Sequence, residues 1–191
     1  MTNPKERVHS TPLISTPEGQ KYFTHMREMA ILIAGILRIM HPDLYRIGYQ
    51  SMENIKKKHP DLKELIQKWG HPFTAGSFIS NRDTPLHRDR ESRHPYYDFL
   101  TSVGPFPVSV MQLHSVGFHC QIKPGGAVAF CGSVVAHEVR QLLGDRLCGA
   151  FYMRGCVHAS TGIMPTGWMD QSQYIRHIHN PPKHCFPAGG I

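Results

Sequence analysis

The stretch Asn81-Arg82-Asp83-Thr84-Pro85-Leu86-His87-Arg88-Asp89 decides how this chain is read. Alternation along an extended segment sends His87 and Asp89 to one side and Arg88 to the other. An imidazole and a carboxylate then reach one ion from a single short segment. A distant second His completes a set that covers one face of an octahedral metal and leaves the opposite face open. That donor set suits Fe(II), with Mn(II) a chemical neighbour. The candidate second imidazole is His137, in Val134-Val135-Ala136-His137-Glu138-Val139, a strand entered from the turn Gly132-Ser133. The three donors are expected to converge within about 2.0–2.3 Å of one metal position. Glu138 is not counted as a ligand, because neighbours on a strand face opposite ways.

Downstream, Gly144-Asp145-Arg146 turns into the strand Leu147-Cys148-Gly149-Ala150-Phe151-Tyr152. An Arg in that position can form a bidentate pair with a carboxylate, as Lys cannot, so Arg146 is the candidate holder of an acidic co-substrate. With 14 histidines in the chain, either His motif alone could be coincidence. Their order together with Arg146 is what points to a metal and co-substrate site. His114, His119 and His158 are spare imidazoles for which structural roles are expected.

Around this centre the chain changes texture. Met1 to Thr16 reads as an arm. Thr16-Pro17-Glu18 starts a helix, with a capping hydroxyl, Pro in the first turn and an acid beside it. The helix runs to Met40 with Tyr22, Met26, Met29, Ile33, Ile36 and Leu37 near one face, and His41-Pro42 ends it. A second helix is expected over Asp43 to Lys58 and a short third over Asp61 to Trp69. Lys56-Lys57-Lys58 ends the second, where cations suit the helix dipole; a solvated face and a phosphate contact are both open for it. From Phe73 the pattern predicts strands near Phe73–Asn81, Tyr96–Val103, Val108–His114, Gly117–Ile122, Ala127–Cys131, Val134–Arg140 and Leu147–Arg154. Strands this short and this dense suggest a jelly roll. The tail, with Pro181-Pro182, Pro187 and Gly189-Gly190, is expected to be irregular from Ile178. At 191 residues one domain is expected over 1–191, with a helical part at 1–70, a jelly-roll core at 71–160 and a C-terminal tail at 161–191.

The formal net charge of +7 makes a polyanionic partner, nucleic acid first, as reasonable as a soluble basic protein. The five cysteines, Cys120, Cys131, Cys148, Cys156 and Cys185, form no CxxC pair, which argues for a reducing compartment and against structural zinc. No secretory signal is visible at the start, and the apolar run Ala30 to Leu37 is too short to span a bilayer, so an intracellular protein without a membrane association is expected.

The run Asn81 to Asp89, the His137 strand and Arg146-Leu147-Cys148-Gly149-Ala150-Phe151-Tyr152 resemble the TET/JBP branch of 2-oxoglutarate and Fe(II)-dependent dioxygenases, the compact fungal, transposon-associated members above all. That resemblance covers roughly Phe73 to Arg154. It implies an α+β fold, with a double-stranded β-helix core (a distorted jelly roll) flanked by N-terminal helices. It implies Fe(II) held by His87, Asp89 and His137, 2-oxoglutarate on Arg146, and O2 as oxidant. The family oxidises methylated bases, most often 5-methylcytosine in DNA to 5-hydroxymethylcytosine and further products. Methylated DNA, double-stranded and with the base flipped out, is therefore the expected partner. A nuclear location is expected and no obligate protein partner is evident. Tyr152 matches the family aromatic that stacks on the extruded base. Two positions depart from the animal members. Arg154 replaces an imidazole and Ser92 replaces an amide, both at base-contacting positions, which opens N6-methyladenine as an alternative substrate. Arg82, Arg88, Arg90 and Arg93 crowd the iron motif. They fit phosphates, or surface pairs with Asp83, Glu91 and Asp98. Two other readings remain: hydroxylation of a protein or small molecule, and a non-catalytic metal- or DNA-binding β-sandwich serving as an accessory factor.

Overall fold

The structure, a computed structural model, describes residues 8, 10–141 and 143–179. Most of the expected N-terminal arm, the proline-rich end of the tail and Cys185 lie outside the described residues. The chain forms two compact units. One takes the chain up to Pro72 and again from Ser160; the other is Phe73–Ala159.

The helical unit begins with α1 (Pro17–Met40). Thr16 caps it, its Oγ1 accepting from the Gly19 amide at 3.1 Å. Ile33 and Leu37 of the expected apolar face are buried, together with Phe23, Ala30 and Ala34. α2 (Pro42–Lys58) starts one residue earlier than read, because Pro42 takes the first helical position. His41, driven out of helical geometry by that proline, caps it with Nδ1, which accepts from Leu44 N at 3.3 Å. A 3-10 turn at Pro60–Leu62 precedes α3 (Lys63–Trp69), which stops at Gly70 in the left-handed region (φ 73°). In the lysine run, Lys56 pairs with Glu53 and Lys58 donates to the Ser160 carbonyl.

The chain returns to this unit after residue 160. Asn54 Nδ2 donates to the Thr161 carbonyl at 3.1 Å, and the hydroxyls of Ser51 and Thr161 lie 3.3 Å apart. A helix, labelled α5 below, spans Gln171–His179, so the tail expected to be irregular from Ile178 is helical at its first two residues and lies otherwise outside the described residues. A reciprocal cap starts it. Asp170 Oδ1 accepts from Gln173 N at 2.8 Å while Gln173 Oε1 accepts from Asp170 N at 3.1 Å. Among the described residues no helix is long and apolar enough to cross a membrane.

The β unit holds eight strands: β1 (Ala75–Ser80), β2 (Thr84–His87), β3 (Asp98–Val103), β4 (Ser109–Leu113), β5 (Phe118–Ile122), β6 (Ala127–Phe130), β7 (His137–Gln141) and β8 (Leu147–Tyr152). They form two antiparallel four-stranded sheets, ordered β1-β8-β3-β6 and β2-β7-β4-β5. The chain passes repeatedly between the sheets, which is the jelly-roll topology expected. The seven strands read from sequence are present, each with fewer residues than expected although β7 runs on to Gln141; β2 is the addition. Met111, Ile122 and Val139 of the β2-β7-β4-β5 sheet pack with Phe130 of the other sheet to form the apolar interior between them. Phe73 and Phe78 pack around Phe151, with Phe99 also against Phe73. Truncating a fully buried side chain such as Met111 to Ala costs about 2–5 kcal/mol. A short helix, α4 (Gly155–Thr161), follows β8.

Candidate metal centre

β2 and β7 are paired so that His87 lies opposite His137. The register slips between Thr84 and His87, an irregularity that ends regular pairing beside the site. The two imidazoles have ring centroids 4.2 Å apart. His87 Nδ1 lies 2.8 Å from the Pro85 carbonyl oxygen and His137 Nδ1 lies 2.9 Å from that of Val135. A carbonyl only accepts, so each ring donates from Nδ1, and Nε2 is the nitrogen left for a metal to take. Both Nε2 atoms face Asp89: His87 Nε2 is 3.4 Å from Oδ1 and His137 Nε2 is 3.7 Å from Oδ2. One donor atom from each of the three residues falls within 4.8 Å of the others. Burial lowers the His137 pKa, favouring the neutral ring that a metal needs. Phe130 stands edge-on to that ring at 4.7 Å and fixes its plane.

The Asp89 carboxylate is held from behind. Its amide donates to the Gly132 carbonyl at 3.0 Å, and the Gly132 amide donates to Asp98 Oδ2 at 3.1 Å. A Cβ at position 132 would stand 2.1 Å from Asp89 Oδ2 and 2.4 Å from Asp98 Oδ2, so only glycine fits. Asp98 is one of the acids expected at the surface as a partner for the arginines. It is instead buried, its Oδ1 accepting from the Ser92 hydroxyl at 2.9 Å. Burial pushes its pKa up to about 7; the Ser92 hydrogen bond opposes that rise and the nearby Asp89 charge adds to it.

Arg146 is buried at the start of β8's approach. Asn81, in the left-handed region at φ 49°, accepts from the Arg146 amide at 2.7 Å and donates to Asp145 at 2.9 Å. The guanidinium is oriented by Ser102 Oγ at 3.5 Å and the Arg82 carbonyl at 3.3 Å. A cavity of about 400 Å³ brings Arg146 together with His87, Asp89 and His137, and with Tyr152, Arg154, Ser92 and Arg90. Tyr152 Oη lies 3.0 Å from Ser77 Oγ. The Arg154 guanidinium covers the Tyr152 ring at 5.7 Å and pairs with Glu91. Arg93 is outside this cavity. It lines a second groove of about 750 Å³ with His94, and His87, Arg88, Arg90 and Ser92 are common to both.

The spare histidines stand elsewhere. His114 pairs with Glu138 at 3.2 Å, and Glu138 also meets Arg140 at 3.3 Å on the face of β7 away from the metal side. His158 is buried with Nδ1 3.2 Å from Tyr96 Oη, and burial lowers its pKa to about 4. Sequence reasoning missed Asp98, Gly132, Asn81, Ser102 and Phe130. Only Gly132 carried a signal, as half of a turn whose glycine need not have been a mere turn residue.

A jelly roll with two imidazoles and a carboxylate at one end and an arginine inside has the layout of a 2-oxoglutarate and Fe(II)-dependent dioxygenase. A family model, Tet_JBP, described as the oxygenase domain of the 2OGFeDO superfamily, matches residues 3–155, and the chain belongs to that TET/JBP oxygenase family. It is thus an Fe(II)-dependent dioxygenase using 2-oxoglutarate and O2. No curated protein matches. Among solved structures, NgTET1 in complex with 5mC DNA is 15% identical, with a TM-score of 0.54 over 90% of this chain and 63% of that one. The chain thus spans less than two thirds of that protein's structure. An RmlC-like cupin from Desulfovibrio desulfuricans is 12% identical with a TM-score of 0.29, over 40% of this chain and 71% of the other. Protein NMB1881 from Neisseria meningitidis is 17% identical with a TM-score of 0.31, again over 40% and 71%.

Proposed function

We propose that this protein oxidises the methyl group of a methylated base in DNA, 5-methylcytosine first, to the hydroxymethyl base and further products. The observation that carries this reading is the junction of the two concavities at His87. The cavity has room for one base, and the groove that joins it presents Arg88, Arg90 and Arg93 to a phosphate backbone. The DNA complex of NgTET1, a protein of similar fold, supports the same substrate class.

The donor set fits Fe(II): two imidazoles with Nδ1 engaged by carbonyls, and one carboxylate, on one side of a cavity. His87, Asp89 and His137 would hold it. When bound, iron supplies the activation of O2 at the expense of 2-oxoglutarate. The protein's own part is placement. Arg146 pairs with the distal carboxylate of the co-substrate through a guanidinium already aligned by Ser102 and Arg82. Tyr152, tethered through Ser77, offers its ring to the base, which must leave the duplex to enter the cavity. Arg154 closes the edge of that ring, and Ser92 faces the same cavity while donating its hydroxyl to Asp98. The same reading locates the protein in the nucleus, which a fluorescent fusion tests; exclusion from the nucleus would count against it.

Nucleoside mass spectrometry tests the substrate after incubating methylated duplex with protein, Fe(II) and 2-oxoglutarate. Loss of 5-methylcytosine with gain of its hydroxymethyl form is expected. Loss of N6-methyladenine alone would move the reading to that base. Turnover of 2-oxoglutarate with both bases unchanged would end the nucleic-acid reading.

A further inference from the structure

The segment Ala30-Ile31-Leu32-Ile33-Ala34-Gly35-Ile36-Leu37-Arg38-Ile39-Met40 closes α1 with one charge in eleven residues. A helix that is apolar all round belongs in an interior. This one is buried on one side only. Ala30, Ile33, Ala34 and Leu37 are buried, whereas Ile31 is 55% exposed, Leu32 59% and Ile39 64%. Helical spacing sets Ile31, Gly35 and Ile39 in one line, with Leu32 beside it, on the side away from the buried residues. An exposed leucine by itself needs no explanation, but a contiguous apolar strip marks a binding face.

Gly35 is a second anomaly in the same strip. It lies inside a helix of 24 residues with no positive φ, in a place where glycine weakens the helix. Among the described residues, a Cβ added at Gly35 would meet nothing within 4 Å. No described neighbour therefore requires the missing side chain. What the glycine provides is a notch, where a group from outside can approach the backbone.

The strip is complementary to itself. Turned about a two-fold axis at the level of Ile33, a second copy of α1 runs antiparallel to the first. Ile31 then enters the notch at Gly35 of the second copy, Glu28 stands opposite Arg38, and the apolar stem of Arg27 lies along Ile39. All three pairs share Ile33 as their midpoint, so one crossing satisfies them together. Such a contact closes on itself, as a two-fold interface must. Covering Ile31, Leu32, Gly35, Ile36 and Ile39 removes roughly 300 Å² of apolar surface per copy, at about 30 Å² for each CH₂ or CH₃ group. Interfaces are about 60% apolar, so the whole contact comes to about 500 Å² per copy and about 1,000 Å² in total, the lower bound for a specific pair. A lipid surface would favour cations alone beside the strip, and Glu28 opposes that.

We propose that two copies of this protein associate through the exposed face of α1, crossing antiparallel at Ile33 so that Ile31 of each fills the notch at Gly35 of the other. The contact is small, so the dimer is reversible and forms as concentration rises. The inference does not depend on which substrate the enzyme oxidises.

Sedimentation velocity of the full chain at rising concentration tests it. The sedimentation coefficient is expected to climb from that of a monomer to that of a dimer. Gly35→Leu fills the notch where the monomer has open space. It is expected to keep wild-type turnover of 2-oxoglutarate and to weaken dimerisation roughly tenfold or more, the effect of an overfilled contact. Ile31→Ser, at an exposed side chain, is expected to act in the same direction and serves where Gly35→Leu loses turnover. Glu28→Arg and Arg38→Glu are each expected to weaken the dimer severalfold, and the two together to restore it, because the pair is remade with its charges exchanged. A wild type that stays monomeric at every concentration would overturn the proposal. So would a dimer that Gly35→Leu and Ile31→Ser both leave intact, which would assign association to another surface. Weakening by each charge variant without recovery in the double would overturn the crossing at Ile33.

Discussion

The cavity has two halves that are held by different means. On the inner side the backbone does the holding: His87 and His137 donate to main-chain carbonyls, the Asp89 amide donates to Gly132, and Arg146 reaches the Arg82 carbonyl. On the outer side the contacts run between side chains, Arg154 with Glu91 and Arg154 over Tyr152. Backbone contacts cannot be changed without moving a strand, whereas side-chain pairs at an exposed rim can be exchanged at little cost. The inner half is thus built to fix the chemistry, and the outer half can be altered to suit a different base. Of the two departures from the animal pattern, Arg154 belongs to the outer half, whereas Ser92 bonds to Asp98 behind the inner one.

Gly132→Ala attacks the inner half hardest, because its Cβ would overlap Asp89 Oδ2 at 2.1 Å. Mn(II) affinity, read by calorimetry or electron paramagnetic resonance, should fall by roughly 100-fold or more, the upper end for disturbing a ligand's support. Wild-type affinity would show that Asp89 does not depend on this contact.

The packing behind the outer rim gives the next effect. His158 is buried against Tyr96, and Arg93 is the charge that bears on it. Its folded pKa of about 4 lies below the ordinary value of 6.5, so the unfolded chain takes up the proton first. Stability from this group is fully present above pH 6.5 and is lost as the pH falls towards 4, by on the order of 2–3 kcal/mol. Urea unfolding across that range should show the slope in wild type and a smaller one in His158→Asn. Equal slopes would remove His158 from the account.

Arg146→Lys keeps the charge and loses the fork. The KM for 2-oxoglutarate should rise roughly 10- to 100-fold, the range for a lost charged hydrogen bond, with Mn(II) affinity little changed. A KM like that of wild type would mean the co-substrate is held elsewhere. Glu91→Ala should do least, shifting urea stability by under about 1 kcal/mol. An effect rivalling Gly132→Ala would erase the distinction between the two halves.

Legibility in the sequence followed the range of the contacts. Thr16-Pro17-Glu18 and His41-Pro42 announced α1 and α2 because capping is settled within four residues. Asp170-Gln171-Ser172-Gln173 is the same kind of local signal, and α5 could have been read from it. The set His87, Asp89, His137 and Arg146 was legible because its order along the chain is distinctive, and the structure brings these side chains to one cavity. Asp98 was not legible. Its burial and its link to Asp89 through Gly132 exist only once β3 and the turn after β6 meet, and an acid in a run of arginines looks like surface charge. β2 was missed because four residues containing Pro85 carry no periodicity, and only pairing with β7 makes them a strand.

The return of the chain after residue 160 has a consequence for how the protein is made. Ser51, Asn54 and Lys58 wait for partners at Ser160 and Thr161, more than 100 residues away in sequence. At about 5–20 residues per second, ribosomal synthesis leaves α1 and α2 without those partners for several seconds to tens of seconds. Meanwhile Thr74 bonds to Tyr152 across β1 and β8, so the β unit closes on its own first and last strands. α2, although translated before the β unit, is therefore among the last parts to be finished, because Ser160 and Thr161 follow that unit in the chain.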